Sequence, residues 1–357
     1  NSLQQHKGLI LLIFFVSLFL IMGTATTIIS KTAYKAKSET KDGGKKEFKR
    51  PMFFNFLMFF GMFLALIIYF VCEIIKKIVK FFRNRNRVVF SDREIERLNG
   101  EDDVEVQEVK PKLTLKQYLF VFIPSMCDFL GTYMMNFGLL YVPSSVYQMM
   151  RGSTIIFAML LAIFWRKQKQ YAYHYTGVTM IIVALVFVGC SMFIPTGNKS
   201  SDSSSSSDEE GEKWYMLLVG MGLIVAAQFL HALQTILEEI LLHDIRAPVA
   251  FIVGLRGFYG CLCCIIVLVA YYFMTFLPEG IRENIVDTLY MIKNSTLILV
   301  LCIVYILVIL VFNFAGTAVI QYSNAMIRNI LEPMRMISVW IASVFIHYVI
   351  SSAYGES

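Results

Sequence analysis

Cys127-Asp128-Phe129-Leu130-Gly131-Thr132 and Phe312-Asn313-Phe314-Ala315-Gly316-Thr317 are two readings of one pattern, [Asp/Asn]-Phe-x-Gly-Thr, set 185 residues apart inside apolar runs. A second echo follows at a shift of 184, where Gln148-Met149-Met150-Arg151 aligns with Glu332-Pro333-Met334-Arg335. Two matched motifs in corresponding runs indicate a duplicated segment with polar groups in the middle of its hydrophobic stretches.

The runs around these motifs set the class. The 357-residue chain is 57% hydrophobic and 14% aromatic, with a mean hydropathy of +0.63, too apolar for a domain that faces water on all sides. Apolar spans fall at about residues 8–30, 52–75, 117–140, 143–165, 172–194, 215–242, 248–276, 297–320 and 327–350. They are too long and too continuous for barrel strands, which leaves helices that satisfy their own backbone. The expected fold is an all-α polytopic membrane protein. The repeat assigns residues 1–194 to a first five-helix unit, 195–213 to a Ser-rich acidic linker and 214–357 to a second unit. Nine spans are visible, and a tenth, expected at about 357–379, is missing. The absence of an initiator Met suggests a trimmed N-terminus.

Charge and cysteine usage narrow the function. The net charge of +6 lies almost wholly between the spans, so it speaks to membrane orientation and not to nucleic acid. All seven cysteines sit in or at the ends of apolar runs, and Cys261, Cys263 and Cys264 have neither CxxC spacing nor a nearby His. No metal, disulfide or cofactor is expected. There is no phosphate-binding loop or catalytic triad, and His174, His243 and His347 lack partners by spacing, so neither an enzyme nor an ATP-driven pump is expected. Lys31–Arg50, Lys76–Lys116 and Pro195–Lys213 read as loops without a packed core. Basic residues after the second span (Lys76, Lys77, Lys80) and the fourth (Arg166, Lys167, Lys169) place those loops in the cytosol. The sequons at Asn198 and Asn294 suit a lumenal side. The loop after the first span conflicts with this orientation, because it is Lys-rich and would be lumenal.

An ionisable side chain in the middle of a bilayer costs about 2.5–3.5 kcal/mol on insertion scales, so those retained there face the bundle interior. Asp128, Gly131 and Thr132 share one helical face, as do Asn313, Gly316 and Thr317. A helix-packing seam and a substrate contact both fit. Gln148 and Arg151 lie one turn apart, and Arg328, Glu332 and Arg335 form a stripe at i, i+4 and i+7. Glu332 can neutralise one arginine and leave Arg151 with another to attract an anion; a network that only locks helices is the competing reading. His231, Gln234 and Glu238 share a face. Glu238 and Glu239 read either as boundary residues or as a proton-coupling carboxylate. Arg256 lies beside Gly254 and Gly257, which suit a close helix contact. With Arg151, Arg256, Arg328 and Arg335 against Asp128, Glu238, Glu239 and Glu332, the balance declares no substrate charge. Pro143, Pro248 and Pro333 lie at or within spans.

These residues carry a family resemblance. Asp128 with Gly131-Thr132, Ser144-Ser145 before Gln148 and Arg151-Gly152, Gln234 before Glu238-Glu239, Asn313 with Gly316, then Arg328, Arg335 and Trp340 occur in an order that resembles the EamA-like drug/metabolite transporter superfamily. The similarity is strongest to solute carrier family 35, subfamily F, the member-six-like branch, and runs from about Gly23 to Ser343. It implies ten helices in two inverted five-helix repeats around a central cavity. It also implies proton-linked or exchange transport of small organic, nucleotide-sugar-like solutes by alternating access. A lysosomal or Golgi-type endomembrane, with a mitochondrial one left open, and a homodimer belong to the same expectation. Met62 stands where an acidic residue is expected in the second span, which puts an acid-dependent role there in doubt. A membrane scaffold that keeps the fold without transporting is the alternative function.

Overall fold

The computed structural model describes residues 2–39, 44–48, 50–91, 115–167, 171–191, 207–273 and 285–345. Long helices dominate: α1 (Ser2–Lys35), α2 (Pro51–Ser91), α3 (Leu115–Tyr141), α6 (Ala172–Ser191), α7 (Ser207–His243), α8 (Val249–Phe273), α10 (Thr296–Tyr322) and α11 (Ala325–Phe345). The fourth span is broken into α4 (Ser144–Met150), a 3-10 turn over Arg151–Ser153 and α5 (Thr154–Phe164). A short helix, α9 (Ile285–Asn294), precedes α10.

Six stretches are long and apolar enough to cross a membrane: Gly8–Lys35, Pro51–Phe82, Val146–Phe164, Tyr215–His243, Val249–Ala270 and Thr296–Tyr322. The protein is a multi-pass integral membrane protein. Helix α11 falls outside that set while carrying Arg328, Glu332 and Arg335, a charge density that lipid does not tolerate. Its opposite side presents Ile337, Trp340 and Ile341, each more than half exposed and suited to acyl chains.

The main packing pairs all join the first five spans to the later four. Helix α3 lies along α7, α2 along α8 and α1 along α10; α5 also packs on α7, and α1 on α11. Small residues allow this. A Cβ on Gly254, Gly257 or Gly260 of α8 would overlap Leu66, Phe63 or Phe59 of α2, so the two backbones touch at Gly254 and Gly257 and the Phe59 ring rests on Gly260. On α3, a Cβ at Gly138 would lie 2.9 Å from the Gly220 carbonyl of α7. Aromatic stacking fills the α1–α10 seam, with the Phe19 and Phe312 rings 4.7 Å apart and Phe15 stacked on Tyr322 at 5.7 Å.

All three of the expected loops contain ordered secondary structure; in Lys76–Lys116, helix α2 runs on to Ser91 and α3 begins at Leu115. Within Lys31–Arg50, β1 (Lys37–Glu39) pairs antiparallel with β2 (Lys45–Glu47), setting Lys37 opposite Glu47 and Glu39 opposite Lys45. Ser38 Oγ donates to the Met291 carbonyl of α9 at 2.8 Å, Arg50 pairs with Asp287 and Phe48 is fully buried. The expectation of an unpacked loop is corrected here: its lysines face glutamates across the hairpin and its apolar residue has a core to enter. In Pro195–Lys213, helix α7 already begins at Ser207. Four-residue apolar spacing did not reveal α9, because its Asp287 and Lys293 break the apolar run.

Replacing Gly257 with Leu should lower the thermal unfolding temperature sharply, at a cost of about 1–3 kcal/mol or more from overpacking. Gly222→Ala, where nothing lies within 4 Å of a new Cβ, should leave it unchanged or slightly raised. Thermal unfolding in detergent, followed by intrinsic fluorescence, compares the two.

Candidate functional site

A cavity of about 400 Å³ lies between the helices, within the size range of small-molecule sites. Its walls come from α1, α2, α3, α4, α7, α8, α10 and α11 together with the 3-10 turn. It runs from Asp128 and Arg256 along α1 to Ser30 and Tyr34, beside the hairpin.

At the deep end, Arg256 is 1% exposed and gathers residues from four other helices. Its Nε lies 3.4 Å from Asp128 Oδ2, its Nη1 pairs with Glu238 Oε1, and its Nη2 donates to Asn313 Oδ1 at 2.9 Å. The Asp and the Asn that open the two motif copies therefore meet on one guanidinium. Met62 Sδ stands 3.0 Å from the same Nη2, occupying with a thioether the place where an acid was expected. Glu238 also accepts from Gln234 Nε2 at 2.9 Å, and His231 Nδ1 lies 3.4 Å from Gln234 Oε1 and 3.8 Å from Asp128 Oδ1. Glu238 is fully buried and ion-paired, so the boundary-residue reading does not hold for it. The pairing follows from the cost of isolated charge in a low dielectric.

Toward the hairpin, one carboxylate serves two arginines. Glu332 Oε1 accepts from Arg151 Nη2 at 2.7 Å and from Arg335 Nη2 at 2.9 Å. The Arg335 guanidinium lies over Phe312 at 5.2 Å, and that of Arg328 over Phe19 at 6.0 Å. Gly23 makes room on α1, since a Cβ there would overlap Arg335 Cδ. Glu332 was expected to neutralise one arginine of its own helix and leave Arg151 unpaired; it pairs with Arg335 and also with Arg151 of a different span. Arg328 Nε is buried without a hydrogen-bond partner among the described residues. Two guanidiniums share the Glu332 carboxylate and a third, Arg328, lines the same cavity, an excess of positive charge that a rigid lock does not need.

Of the two copies, the first interrupts its span, while the second stays within the continuous helix α11. Arg151 opens the 3-10 turn that divides the fourth span, and Pro333 lies inside α11, two residues before Arg335. Mid-helix 3-10 turns and prolines free backbone groups and bend the axis. In a membrane, such irregular backbone is tolerated where it lines a cavity.

Asp128, Gln148, Arg151, Gln234, Arg256, Asn313, Arg328, Arg335 and Glu332 all line this cavity. Glu238 stands directly behind it on Arg256. Glu239 points elsewhere: it pairs with Arg166 at 3.5 Å and accepts from the Ala325 amide at 3.1 Å, capping α11. Arg166 also binds Asp244 at 2.8 Å, so the end of the bundle opposite the hairpin is tied together. Asn294 is exposed at the end of α9; Asn198 lies outside the described residues, as do His347 and the expected tenth span. The sequence reading passed over Asn55, Asn136 and Gln228. Asn136 carried a signal, since Asp128, Thr132 and Asn136 repeat at i, i+4 and i+8; Asn55 is a single amide in an apolar run.

Searching family models gives no match to this chain. The chain is similar along nearly all its length to proteins named solute carrier family 35 member F6. The human protein is 28% identical over 338 residues, covering 93% of this chain and 81% of that one. The rat protein is 26% identical over 336 residues, 92% of this chain and 80% of its own. The orangutan (Pongo abelii) protein matches at 28% over 338 residues.

Replacing Arg256 with Gln should destabilise the protein by about 3–5 kcal/mol, because Asp128 and Glu238 keep buried charge without a counter-ion. Combining Arg256→Met with Glu238→Met should restore more than half of that loss. Unfolding midpoints of the two proteins in the same detergent provide the comparison.

Proposed function

We propose that the chain is a secondary transporter or exchanger that carries a small organic metabolite across an intracellular membrane by alternating access. The observation that carries this reading is the cavity itself, whose charged walls come from both repeats and whose Glu332 is shared by Arg151 and Arg335. A substrate anion takes over one arginine from Glu332. The conformational shift this drives is limited to the difference in binding energy between the two states.

The repeat organisation fits the same reading. Exchanging the first span for the sixth, the second for the seventh, the third for the eighth and the fourth for the ninth turns the α1–α10 contact into α7–α3. The same exchange turns α1–α11 into α7–α5 and leaves α2–α8 as it is. This exchange symmetry supports reading residues 1–194 and 214–357 as two inverted units. With the hairpin end lumenal, the present arrangement is the lumen-facing one, and the ion pairs of Arg166 with Glu239 and Asp244 close the cytosolic end. Two hairpin lysines face glutamates and Arg50 pairs with Asp287, which offsets part of the charge that opposed this orientation. A lysosomal or Golgi-type membrane suits the sequons, proton coupling belongs with the buried Glu238 at the deep end, and lipid and a second copy of the chain are the expected partners.

Proteoliposomes containing the full chain should take up a solute from a panel of nucleotides, nucleotide sugars and organic cations, and Arg335→Lys should reduce that uptake at least tenfold while the protein still folds. A lysine offers a point charge where a guanidinium can hold Glu332 and an anion together. Uptake equal to that of empty liposomes across the panel, from folded protein, would overturn the reading. In cells, Asn294→Gln should remove one step of a glycosidase-sensitive mobility shift if α9 is lumenal; an unchanged glycan pattern would oppose that placement.

A further inference from the structure

Helix α2 is longer than the membrane it crosses. Its apolar stretch Pro51–Phe82 has 32 residues, about 48 Å of helix against a hydrocarbon core of about 30 Å. The bundle ends before the helix does: Leu66 is the last buried residue of α2 among the described side chains, and the Tyr69 ring meets Phe251, near the start of α8, at 5.8 Å. Beyond that level α2 continues unbroken to Ser91. The excess has two unlike sides. Lys76, Lys80, Arg83 and Arg87 recur at i, i+4, i+7 and i+11, one stripe by helical spacing, with Lys77 beside it. Ile74, Ile78, Phe81 and Phe82 recur at i, i+4, i+7 and i+8 on the opposite side, a run that Arg85 ends. These four apolar side chains are each about half exposed or more. Glu73 is the one acid between residues 70 and 91, and it lies 3.7 Å from Lys76. A helix surrounded by acyl chains does not need a basic stripe, and one surrounded by water does not favour exposed Ile and Phe; the boundary between acyl chains and headgroups suits both.

We propose that residues 73–87 of α2 are a docking site for anionic phospholipids of the cytosolic leaflet. The apolar side enters the acyl chains, and the basic stripe gathers headgroup phosphates and carboxylates. A lipid leaflet supplies both chemistries in adjacent layers at the level where the span leaves the core, whereas an acidic peptide matches the stripe alone. The span also holds the segment at the leaflet, so headgroups reach it at high effective concentration. The proposal rests on the cytosolic placement of this end of the bundle and is independent of transport, because none of these residues lines the central cavity.

The test is titration of the purified full chain in detergent with dioctanoyl phosphatidylserine, dioctanoyl phosphatidylcholine, glycerophosphoserine and a poly-glutamate peptide, with bound probe read by native mass spectrometry. The serine lipid should bind about tenfold or more tightly than the choline lipid. Replacing Lys76, Lys80, Arg83 and Arg87 together with Gln should remove that preference. Replacing Lys110, Lys112, Lys116 and Lys169 with Gln, which takes the same charge from other cytosolic segments, should leave it in place. Lys76→Arg with Lys80→Arg should also keep it. Where the fourfold stripe variant does not fold, Lys76→Gln with Lys80→Gln should still reduce the preference about threefold or more. Glycerophosphoserine, which lacks acyl chains, should bind more weakly than the intact lipid. Equal binding of the two lipids, a preference lost equally in both fourfold variants, glycerophosphoserine binding as tightly as the lipid, or tighter binding of poly-glutamate through the same stripe would each overturn the proposal, the last in favour of an acidic protein partner.

Discussion

Arg256 is the constraint on which the rest of the bundle depends. A guanidinium this deeply buried requires counter-charge and acceptors in fixed places, and it receives them from Asp128 on α3, Glu238 on α7 and Asn313 on α10. Those partners determine how far α3 and α10 can separate and how α7 is rotated. The glycines beside Arg256 on α8 serve the same end, because they let α8 press against α2, whose Met62 also reaches the guanidinium. One side chain thus ties together helices that are far apart in sequence.

The two motif copies are alike in position and unlike in charge, and the difference organises the cavity. Where the first copy has Asp128, the second has the neutral Asn313, and where the first has Gln148, the second has Glu332. Negative charge is therefore placed deep on the first half and nearer the hairpin on the second. Each carboxylate faces arginine from the other half: Asp128 meets Arg256, and Glu332 meets Arg151. The two motif copies thus present complementary, not identical, surfaces.

Much of this was legible in the sequence, and what was not has a physical cause. Helical spacing shows which residues share a face, so Asp128, Arg151, Arg256 and Arg335 were all identifiable. It does not show which neighbouring helix that face meets. Glu332 was assigned to its own helix because i, i+3 and i, i+4 contacts are the only ones a single helix reveals, and Arg151 was the partner it could not disclose. Glu238 and Glu239 are adjacent in sequence and looked equivalent; their side chains diverge around α7, one to Arg256 and the other to Arg166 and the start of α11. The hairpin was hidden by composition, since its lysines resemble a solvated loop until the glutamates opposite them are placed.

The pairing of helices across the two halves bears on how the protein is made. A chain inserted into a membrane from its N-terminus presents the first half before the second exists, so Asp128 and Arg151 enter the bilayer ahead of Arg256 and Glu332. Until α7, α8 and α11 emerge from the ribosome, these two charges have no native counterpart in the nascent chain, and the α3 and α1 surfaces that later receive α7 and α10 face lipid. The half-made protein is thus a client for whatever holds unpaired polar helices near the insertion site. A premature stop after the fifth span leaves a product carrying the exposed charges by which membrane quality control recognises incomplete bundles.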